Sequence, residues 1–269
     1  MPAPDRITSE SADFQLLEAL LHNRRKRTQR GEFLIEGVQA INRAVAAGWP
    51  IRSVLTPMGT ALSSWAAGIV AAAPRHVEVQ ADLFARLTDR EEQPEALLVG
   101  EIVEPALSEL RPADDGVVVV VDRPSSPGNL GTILRTSDAL GAAAVLAVGH
   151  GAHLFDPRTV RASVGSLFSV PAIAVGGPAD VAVWLAGWRE RTAVTVYATD
   201  EAGDTVIGEE PLARPALLLL GSERTGLARG LRDLADVTLR IAMAGSASSL
   251  NVAIAHGIAL HALMSAADH

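Results

Sequence analysis

Six short, almost continuous apolar runs in the second half of the chain limit its fold more than any other feature. They cover residues 117–121, 143–148, 172–175, 194–197, 216–220 and 237–241. Runs of this length, separated by segments that could hold helices, are typical of strands buried on both faces of a parallel sheet. They predict an α/β fold with a doubly wound parallel sheet, whose ligands bind beyond the carboxyl ends of the strands.

The first hundred residues mix helical and strand patterns. They predict helices at 14–22, 38–47, 61–72 and 81–87, and strands at 33–35, 51–55, 76–79 and 96–103. Such alternation favours a compact α/β layer domain. A stretch rich in proline and acidic residues follows, so we expect a first domain at 1–105, a linker at 106–115 and a second domain at 116–269.

The composition excludes several kinds of site. The chain has 269 residues, 48% of them hydrophobic, which is enough for one large or two modest cores. The absence of cysteine excludes disulfides, thiolate zinc sites and a cysteine nucleophile. No apolar run approaches the roughly 18 residues that span a bilayer, and residues 1–11 lack the apolar stretch of a signal peptide. We therefore expect a soluble, cytoplasmic protein with no membrane partner.

One basic stretch stands out in a chain whose net charge is −8. It contains five cations: Arg24, Arg25, Lys26, Arg27 and Arg30. Because nucleic-acid phosphates are usually neutralised by clustered Lys and Arg, this stretch is the candidate phosphate-binding segment. The acidic remainder argues against non-specific coating of nucleic acid. The alternative is that the stretch is only a solvated helix end.

Three segments of the second half carry side chains suited to chemistry. In the first, a predicted strand leads into a Pro- and Gly-rich loop with Asn129 and then into a helix with Arg135. This arrangement presents free backbone N–H groups to a ligand. Its glycine spacing matches neither the dinucleotide fingerprint nor the P-loop. The alternative is that Asn129 only caps the helix and that Arg135 is solvated.

The second segment is another strand that passes into a glycine-bearing turn. There Gly221 lets a ligand approach the backbone, and Glu223 offers a carboxylate near the cleft. An ordinary strand-to-helix turn with an exposed glutamate is the alternative.

The third segment leads into an apolar helix at 252–264. Ser248 or Ser249 could cap this helix, whereas we expect Asn251 one turn inside it, where capping does not explain it. His256 and His261 lie on the same helix, and we expect them to pack in the core or in an interface rather than to bind a ligand.

Taken in order, three patterns resemble the signature motifs of the SpoU/TrmH family of RNA 2′-O-ribose methyltransferases, part of the SPOUT superfamily. They are N-x-G-x-x-x-R from Asn129, G-x-E-x-x-G from Gly221 and S-L-N from Ser249. The resemblance implies a deep trefoil knot, a homodimer formed through the catalytic domain, and S-adenosyl-L-methionine (SAM) as cofactor without a metal. It also implies methyl transfer to a ribose 2′-hydroxyl of structured RNA, with ribosomal RNA favoured over transfer RNA.

The same resemblance implies roles for single residues. The family's catalytic positions correspond here to Asn129, Arg135, Glu223, Ser249 and Asn251. The positions that contact the cofactor correspond to Leu220, Gly221, Ile241, Met243 and Leu250. Ala242 stands where many members have proline, and this change frees φ and restores an N–H in the cofactor loop.

A mechanism and a role for the first domain follow from the resemblance. A guanidinium is a poor proton acceptor, so we expect Arg135 to clamp the phosphate next to the reacting hydroxyl, while phosphate or water receives the proton. Residues 1–104 resemble, less specifically, the L30e-like RNA-binding domain of many members, with residues 33–37 as the best match. That domain would bind RNA through the basic stretch at 24–30.

Three other functions stay open at this point. A knotted methyltransferase could modify an RNA base instead of a ribose. A protein that kept the fold and lost catalysis could bind RNA or assist ribosome assembly. A nicotinamide-dependent oxidoreductase is disfavoured by the missing glycine fingerprint.

Overall fold

A computed structural model describes residues 3–90 and 92–265 and divides the chain into two compact units. The N-terminal unit extends to Val103 and also takes in the later segment Phe155–Phe168. The C-terminal unit consists of Glu104–Leu154 and the chain from Ser169 onward. The assignment of Phe155–Phe168 to the N-terminal unit has no counterpart in the sequence patterns.

The N-terminal unit has a five-stranded sheet of order β1-β4-β3-β5-β2. Its strands are β1 (Asp5–Ile7), β2 (Glu32–Ile35), β3 (Ile51–Pro57), β4 (His76–Val79) and β5 (Leu97–Glu101). Its first five helices are α1 (Ala12–His22), α2 (Arg24–Arg30), α3 (Val38–Ala46), α4 (Ser64–Ala72) and α5 (Ala81–Ala85). Strand β5 pairs antiparallel with β2 and β3, while β4 pairs parallel with β1 and β3. The predicted α/β layer is therefore confirmed.

Strand β1 and helix α2 were not predicted, and several predicted boundaries in this unit differ from the structure, most of all the start of α4. Strand β1 has only three residues, two of them exposed, so it lacks a strand-like pattern. Helix α2 is separate from α1 because Asn23 caps it with its side chain and Gly31 ends it at φ 64°. Helix α4 begins at Ser64, not at residue 61, because the side chain of Ser63 accepts the N–H of Ala66.

The C-terminal unit has a seven-stranded sheet of order β10-β12-β9-β11-β6-β7-β8, in which every described pairing is parallel. Its strands are β6 (Val117–Asp122), β7 (Ala144–Val148), β8 (Ala172–Val175), β9 (Thr195–Thr199), β10 (Thr205–Val206), β11 (Ala216–Leu220) and β12 (Val237–Arg240). The later helices are α6 (Pro127–Leu140), α7 (Pro157–Ser163), α8 (Pro178–Arg189), α9 (Arg229–Arg232) and α10 (Val252–Ser265), of which α7 belongs to the N-terminal unit. All six predicted strands are present, and the two-residue β10 is an addition.

Each unit has its own hydrophobic core. In the N-terminal unit, Phe14, Phe84 and the inward side chains of the sheet form one buried cluster. In the C-terminal unit, Trp184 and Trp188 of α8 pack on the central strands β6, β7 and β11. Strands β6 and β11 are buried along their whole length, because both faces of the central sheet are covered. Among the described residues, no helix is long and apolar enough to cross a membrane.

Candidate functional site

A cavity of about 650 Å³ lies where β9, β11 and β12 reach their carboxyl ends in the C-terminal unit. This is the edge at which parallel α/β sheets bind ligands. The residues that line it come from the ends of these strands and from the start of α10: Thr199, Asp200, Glu201, Gly221, Ser222, Glu223, Arg224, Gly226, Leu239, Ile241, Met243, Ser248, Ser249, Leu250, Asn251, Val252 and Ala255. The second and third motif segments therefore share one cavity.

Glu223 connects the first motif segment to this cavity. Its Oε1 accepts a hydrogen bond from Asn129 Nδ2 at 2.7 Å, and its Oε2 accepts one from Ser125 Oγ at 2.7 Å. Partial burial alone would favour the neutral carboxyl, but these hydrogen bonds outweigh it and lower the pKa of Glu223 below 4.5. The side chain is thus a carboxylate at neutral pH.

Asn251 extends this hydrogen-bonded series, so that the polar chain consists of the side chains of Ser125, Glu223, Asn129 and Asn251. Its Nδ2 donates to Asn129 Oδ1 at 3.1 Å, while its own Oδ1 accepts the N–H of Ala253 at 2.8 Å. The expectation that Asn251 lies one turn inside the last helix was wrong: it directly precedes α10 and caps it. Its amide can do both because the oxygen accepts and the nitrogen donates.

The alternative that Asn129 only caps a helix is excluded. The N-cap of α6 is Ser126, whose side chain accepts the N–H of Asn129. The side chain of Asn129 is therefore available to Glu223 and Asn251, which lie 94 and 122 residues away in the sequence. A cap three residues earlier leaves Asn129 to hold three motif segments together.

Asp122 and Arg123, at the end of β6, bind the loop that follows β11. Asp122 is buried at the end of β6 and accepts the N–H of Ala228 at 2.6 Å. Arg123 binds both oxygens of Asp122 and donates to the carbonyl of Gly226 at 3.1 Å. Arg123 has φ 46°, a strained conformation for a residue with a side chain. The pair ties the loop after β6 to the loop after β11.

The residues expected to contact a cofactor are placed as follows. Gly221, Ile241, Met243 and Leu250 line the cavity, whereas Leu220 is fully buried and adjoins it through the backbone. A Cβ on Gly221 would lie 2.7 Å from the carbonyl carbon of Gly226, so only glycine fits there. Met243 and Leu250 are 40% and 38% exposed, which leaves apolar surface open to a flat apolar ligand.

The two remaining candidates, Ser249 and Arg135, are not hydrogen-bonded members of the polar chain and lie in different places. Ser249 lines the cavity. Arg135 lies on α6, exposed and outside the residues that line the cavity. Six residues beyond Asn129, it points about 120° away from that residue around the helix axis. Within the described part of the chain, the site therefore has four of the five expected catalytic side chains in one place.

The basic stretch forms α2, and its members differ in exposure. Arg24, Arg25, Lys26 and Arg30 are exposed, and Arg30 pairs with Glu32 at 2.8 Å. Arg27 is 2% exposed, and its guanidinium binds Asp156 and two backbone carbonyls of α1. We therefore assign Arg27 to folding rather than to RNA contact, because an arginine has no solvent-facing donors when it is buried in this way.

Several residues of the site were missed at the sequence level. Ser125 holds Glu223, and Asp122 with Arg123 supports the turns. Thr199, Asp200 and Glu201 line the cavity after β9. A signal existed for the last group, since three polar residues follow a buried strand at the edge where ligands bind.

Two family models match the chain. The SpoU rRNA Methylase family matches residues 116–261, and the SpoU L30e-like domain matches residues 11–99. The first covers the three motif segments, and the second covers most of the N-terminal unit.

Curated proteins match over nearly the whole chain. A 23S rRNA (uridine(2479)-2′-O)-methyltransferase of Streptomyces viridochromogenes is 43% identical over 94% of this chain and 89% of its own length. The 23S rRNA (guanosine(2553)-2′-O)-methyltransferase RlmP of Bacillus subtilis is 30% identical over 90% of this chain and 92% of its own length.

Solved structures agree with these matches. The SpoU methyltransferase AviRb of Streptomyces viridochromogenes, in complex with the cofactor AdoMet, superposes with a TM-score of 0.90 at 41% identity. The match covers 95% of this chain and 97% of that one. An rRNA methyltransferase of Sinorhizobium meliloti with bound AdoMet gives a TM-score of 0.83 at 30% identity, over 97% of both chains.

Proposed function

Because this chain belongs to the SpoU rRNA methylase family, we propose that it transfers a methyl group from SAM to a ribose 2′-hydroxyl of 23S rRNA. The observation that carries the proposal is the polar chain of Ser125, Glu223, Asn129 and Asn251 beside one cavity. Full-length relatives named as 2′-O-methyltransferases of 23S rRNA favour ribose over base, and ribosomal over transfer RNA.

The cavity suits SAM in size and lining. A volume of about 650 Å³ is in the range of pockets for cofactors of this size. Met243, Leu250 and the backbone at Gly221 would hold the adenosine part, while Asp200, Glu201 and Glu223 would favour a cation. When bound there, SAM supplies an electrophilic methyl group. The chain's own residues must position the hydroxyl and deal with its proton.

The polar chain positions the acceptor ribose. Glu223 fixes the orientation of the Asn129 amide, because its carboxylate accepts from Nδ2. The Asn129 oxygen then faces Asn251, so the two amides form one rigid unit. In this proposal the unit orients the ribose and Ser249 contacts it. The new C–O bond forms as the methyl–sulfur bond breaks, and the hydroxyl proton leaves to the neighbouring phosphate or to water.

Arg135 takes part from a second copy of the chain. Helix α10 packs on α6 with one face, while Ile254 and Ile258 of another face are 55% and 38% exposed. Two apolar residues four positions apart form an exposed stripe that suits a helix interface. We include in the proposal a homodimer that buries this stripe and brings Arg135 of one protomer to the cavity of its partner, where it clamps an RNA phosphate.

We also propose domain boundaries at 105 and 116, a trefoil knot in the C-terminal domain and a cytoplasmic location. Exposed cations on α2, namely Arg24, Arg25, Lys26 and Arg30, are proposed to contact RNA. An enzyme that acts on rRNA needs access to ribosomal particles or their precursors, which supports the location.

Incubation with methyl-labelled SAM tests the function. The protein is given 23S rRNA, 16S rRNA and bulk tRNA separately, and the products are digested to nucleosides. We expect a labelled 2′-O-methylnucleoside from 23S rRNA alone, and at least a hundredfold less from Asn129→Ala, about the cost of losing one transition-state hydrogen-bonding group. Asn42→Ala, on α3 of the N-terminal unit, is the control. A labelled base, or no transfer to any RNA, would overturn the proposal.

A further inference from the structure

The segment Phe155–Phe168, which contains α7, belongs to the N-terminal unit. Two arginines of α7, Arg158 and Arg161, form ion pairs with buried carboxylates of this unit. The first carboxylate is Asp156, the N-cap of α7. Its Oδ2 accepts from Arg27 at 3.0 Å, and its Oδ1 accepts from the backbone and Nε of Arg158, both at 3.1 Å. Arg27 lies fully inside the protein, but the side chain of Arg158 is 58% exposed.

The second buried carboxylate is Glu36, which follows β2 and whose side chain is 2% exposed. It accepts from Thr88 Oγ1 at 2.7 Å and lies 3.5 Å from Arg161 and 3.7 Å from Arg90. The side chains of both arginines are over a third exposed. Since Arg158 and Arg161 are three residues apart, they lie on the same side of α7.

The guanidiniums of Arg90, Arg158 and Arg161 are therefore held by a carboxylate on one side and exposed to solvent on the other. Each is held at one point by a carboxylate that is buried or nearly so, and each has further N–H donors that face solvent. A side chain held in this way loses less conformational entropy when it binds a ligand. A guanidinium also presents paired donors that match the oxygens of a phosphate.

We propose that Arg90, Arg158 and Arg161 form a preorganised surface, the arginine face, that binds phosphates of the RNA backbone. The inference rests on the proposed function and names where the N-terminal unit holds its substrate. In a chain of net charge −8, a local cationic surface is needed to attract RNA. Arg24 of the basic stretch and Arg158 of the arginine face both lie near enough to Arg27 to interact with it electrostatically.

Acidic residues next to the arginine face should weaken its binding of phosphates. Asp89 and Glu92 line the same surface depression as Arg90 and Arg161. Asp89 also attracts the guanidinium of Arg158 electrostatically. Removal of the Asp89 charge should therefore strengthen RNA binding, an effect that damage to the fold cannot produce.

Binding to protein-free 23S rRNA transcripts at several salt concentrations tests the arginine face. For Arg158→Gln and Arg161→Gln we expect Kd to rise roughly five- to tenfold and the slope of log Kd against log salt to fall by about 0.7 to 0.9 for each phosphate that is no longer neutralised. Asp89→Asn should lower Kd about twofold. Arg6→Gln is the control, because Arg6 lies on β1 at the opposite edge of the sheet, 63% exposed and paired with Glu78.

SAM affinity and melting temperature are measured on the same variants. Weaker RNA binding at unchanged SAM affinity and melting temperature supports the proposal. RNA binding equal to that of the wild type, a decrease equal to that of Arg6→Gln, or a wild-type protein that binds no RNA overturns it. Normal RNA binding without methyl transfer would instead refute the proposed reaction and leave the arginine face standing.

Discussion

The carboxylate of Glu223 depends on two residues that no local pattern connects to it. Ser125, just before α6, and Asn129, within α6, donate to it from 98 and 94 residues earlier in the sequence. Their hydrogen bonds, not its burial, decide that its pKa falls below the ordinary value. The residue thus acts as a fixed negative charge and as the anchor of Asn129.

A pH-dependent stability follows for Glu223. Its pKa in the folded protein is lower than in the unfolded chain, so its stabilisation is complete above the unfolded value and is lost as pH falls through the folded value. We expect the free energy of unfolding of wild type to exceed that of Glu223→Gln by a constant amount from pH 7 to about 5.5. Below 4.5 the difference should shrink.

Urea denaturation of both proteins at pH 4 to 7 measures this difference. Glu190→Gln, which removes an exposed carboxyl at the end of α8, is the control. A difference between wild type and Glu223→Gln that does not change with pH would refute the lowered pKa of Glu223.

Arg135 yields a prediction at the same scale. If it clamps an RNA phosphate in the reaction, Arg135→Ala should lower kcat by about a hundredfold or more while SAM affinity stays unchanged. Arg135→Lys should recover only part, because an ammonium lacks the paired donors of a guanidinium. Single-turnover methyl transfer and SAM titration check this. Normal turnover in Arg135→Ala would exclude both a clamp and a base.

Among the elements, α7 shows how a short helix is fixed by charge and aromatic packing. Phe155 and Phe168, at the two ends of its segment, lie 4.8 and 6.4 Å from the ring of Phe33. A Cβ on Gly165 would lie 2.7 Å from the side chain of Arg43, so the backbone packs directly on α3. The segment is therefore part of the N-terminal core.

The buried ion pair of Arg27 and Asp156 should be costly to break. Arg27→Met leaves a buried carboxylate without its main partner, and we expect a decrease of about 3 kcal/mol in the stability of the N-terminal unit. Arg30→Met removes an exposed pair and should cost about 1 kcal/mol or less. Hydrogen exchange measured by mass spectrometry shows which of the two units loses stability. Equal effects of the two substitutions would contradict the structural role of Arg27.

Helix α10 contains a second pH-sensitive group, His256. It is fully buried against α6, its Nε2 lies 3.2 Å from Ser137 Oγ, and burial lowers its pKa from 6.5 to about 4. Between these values the unfolded chain binds a proton that the folded protein does not. The free energy of unfolding should therefore fall as pH decreases from 6.5 toward 4, by up to about 1.4 kcal/mol per pH unit from this residue.

His256→Gln removes this titration and keeps a side chain that can hydrogen-bond to Ser137. We expect its free energy of unfolding to depend less on pH than that of wild type between pH 4 and 6.5. His261→Gln is the matched control, because His261 is exposed on the same helix. Parallel pH curves for His256→Gln and wild type would show that His256 is not held neutral.

For the whole molecule, the proposed homodimer depends on the stripe formed by Ile254 and Ile258. Ile258→Glu places a charge in that interface and should convert a dimer into a monomer, because burial of an unpaired carboxylate is costly. Light scattering after gel filtration measures the mass. Val183→Glu, on an exposed position of α8, is the control. A wild-type monomer, or an Ile258→Glu dimer, would refute this interface.

Much of the architecture could be predicted from local patterns. The six buried strands of the C-terminal sheet, the α/β layer of the N-terminal unit and the three motif segments all come from residues close in sequence. Hydrophobic periodicity reports whether a strand is covered on one or both faces, and glycine or proline marks its end. Short edge elements such as β1 and β10 escaped, because two or three residues carry too little pattern.

The tertiary structure alone decided which residues meet. The sequence determined that Arg27 is one of five clustered cations, but its partner Asp156 lies 129 residues away and removes it from solvent. It also determined Asn129, Glu223 and Asn251 as separate candidates, while chain folding joined them into one hydrogen-bonded unit and left Arg135 apart. Short-range patterns fix the direction of the chain and the faces of its elements. Contacts between distant segments depend on how those faces pack, and no local pattern contains that information.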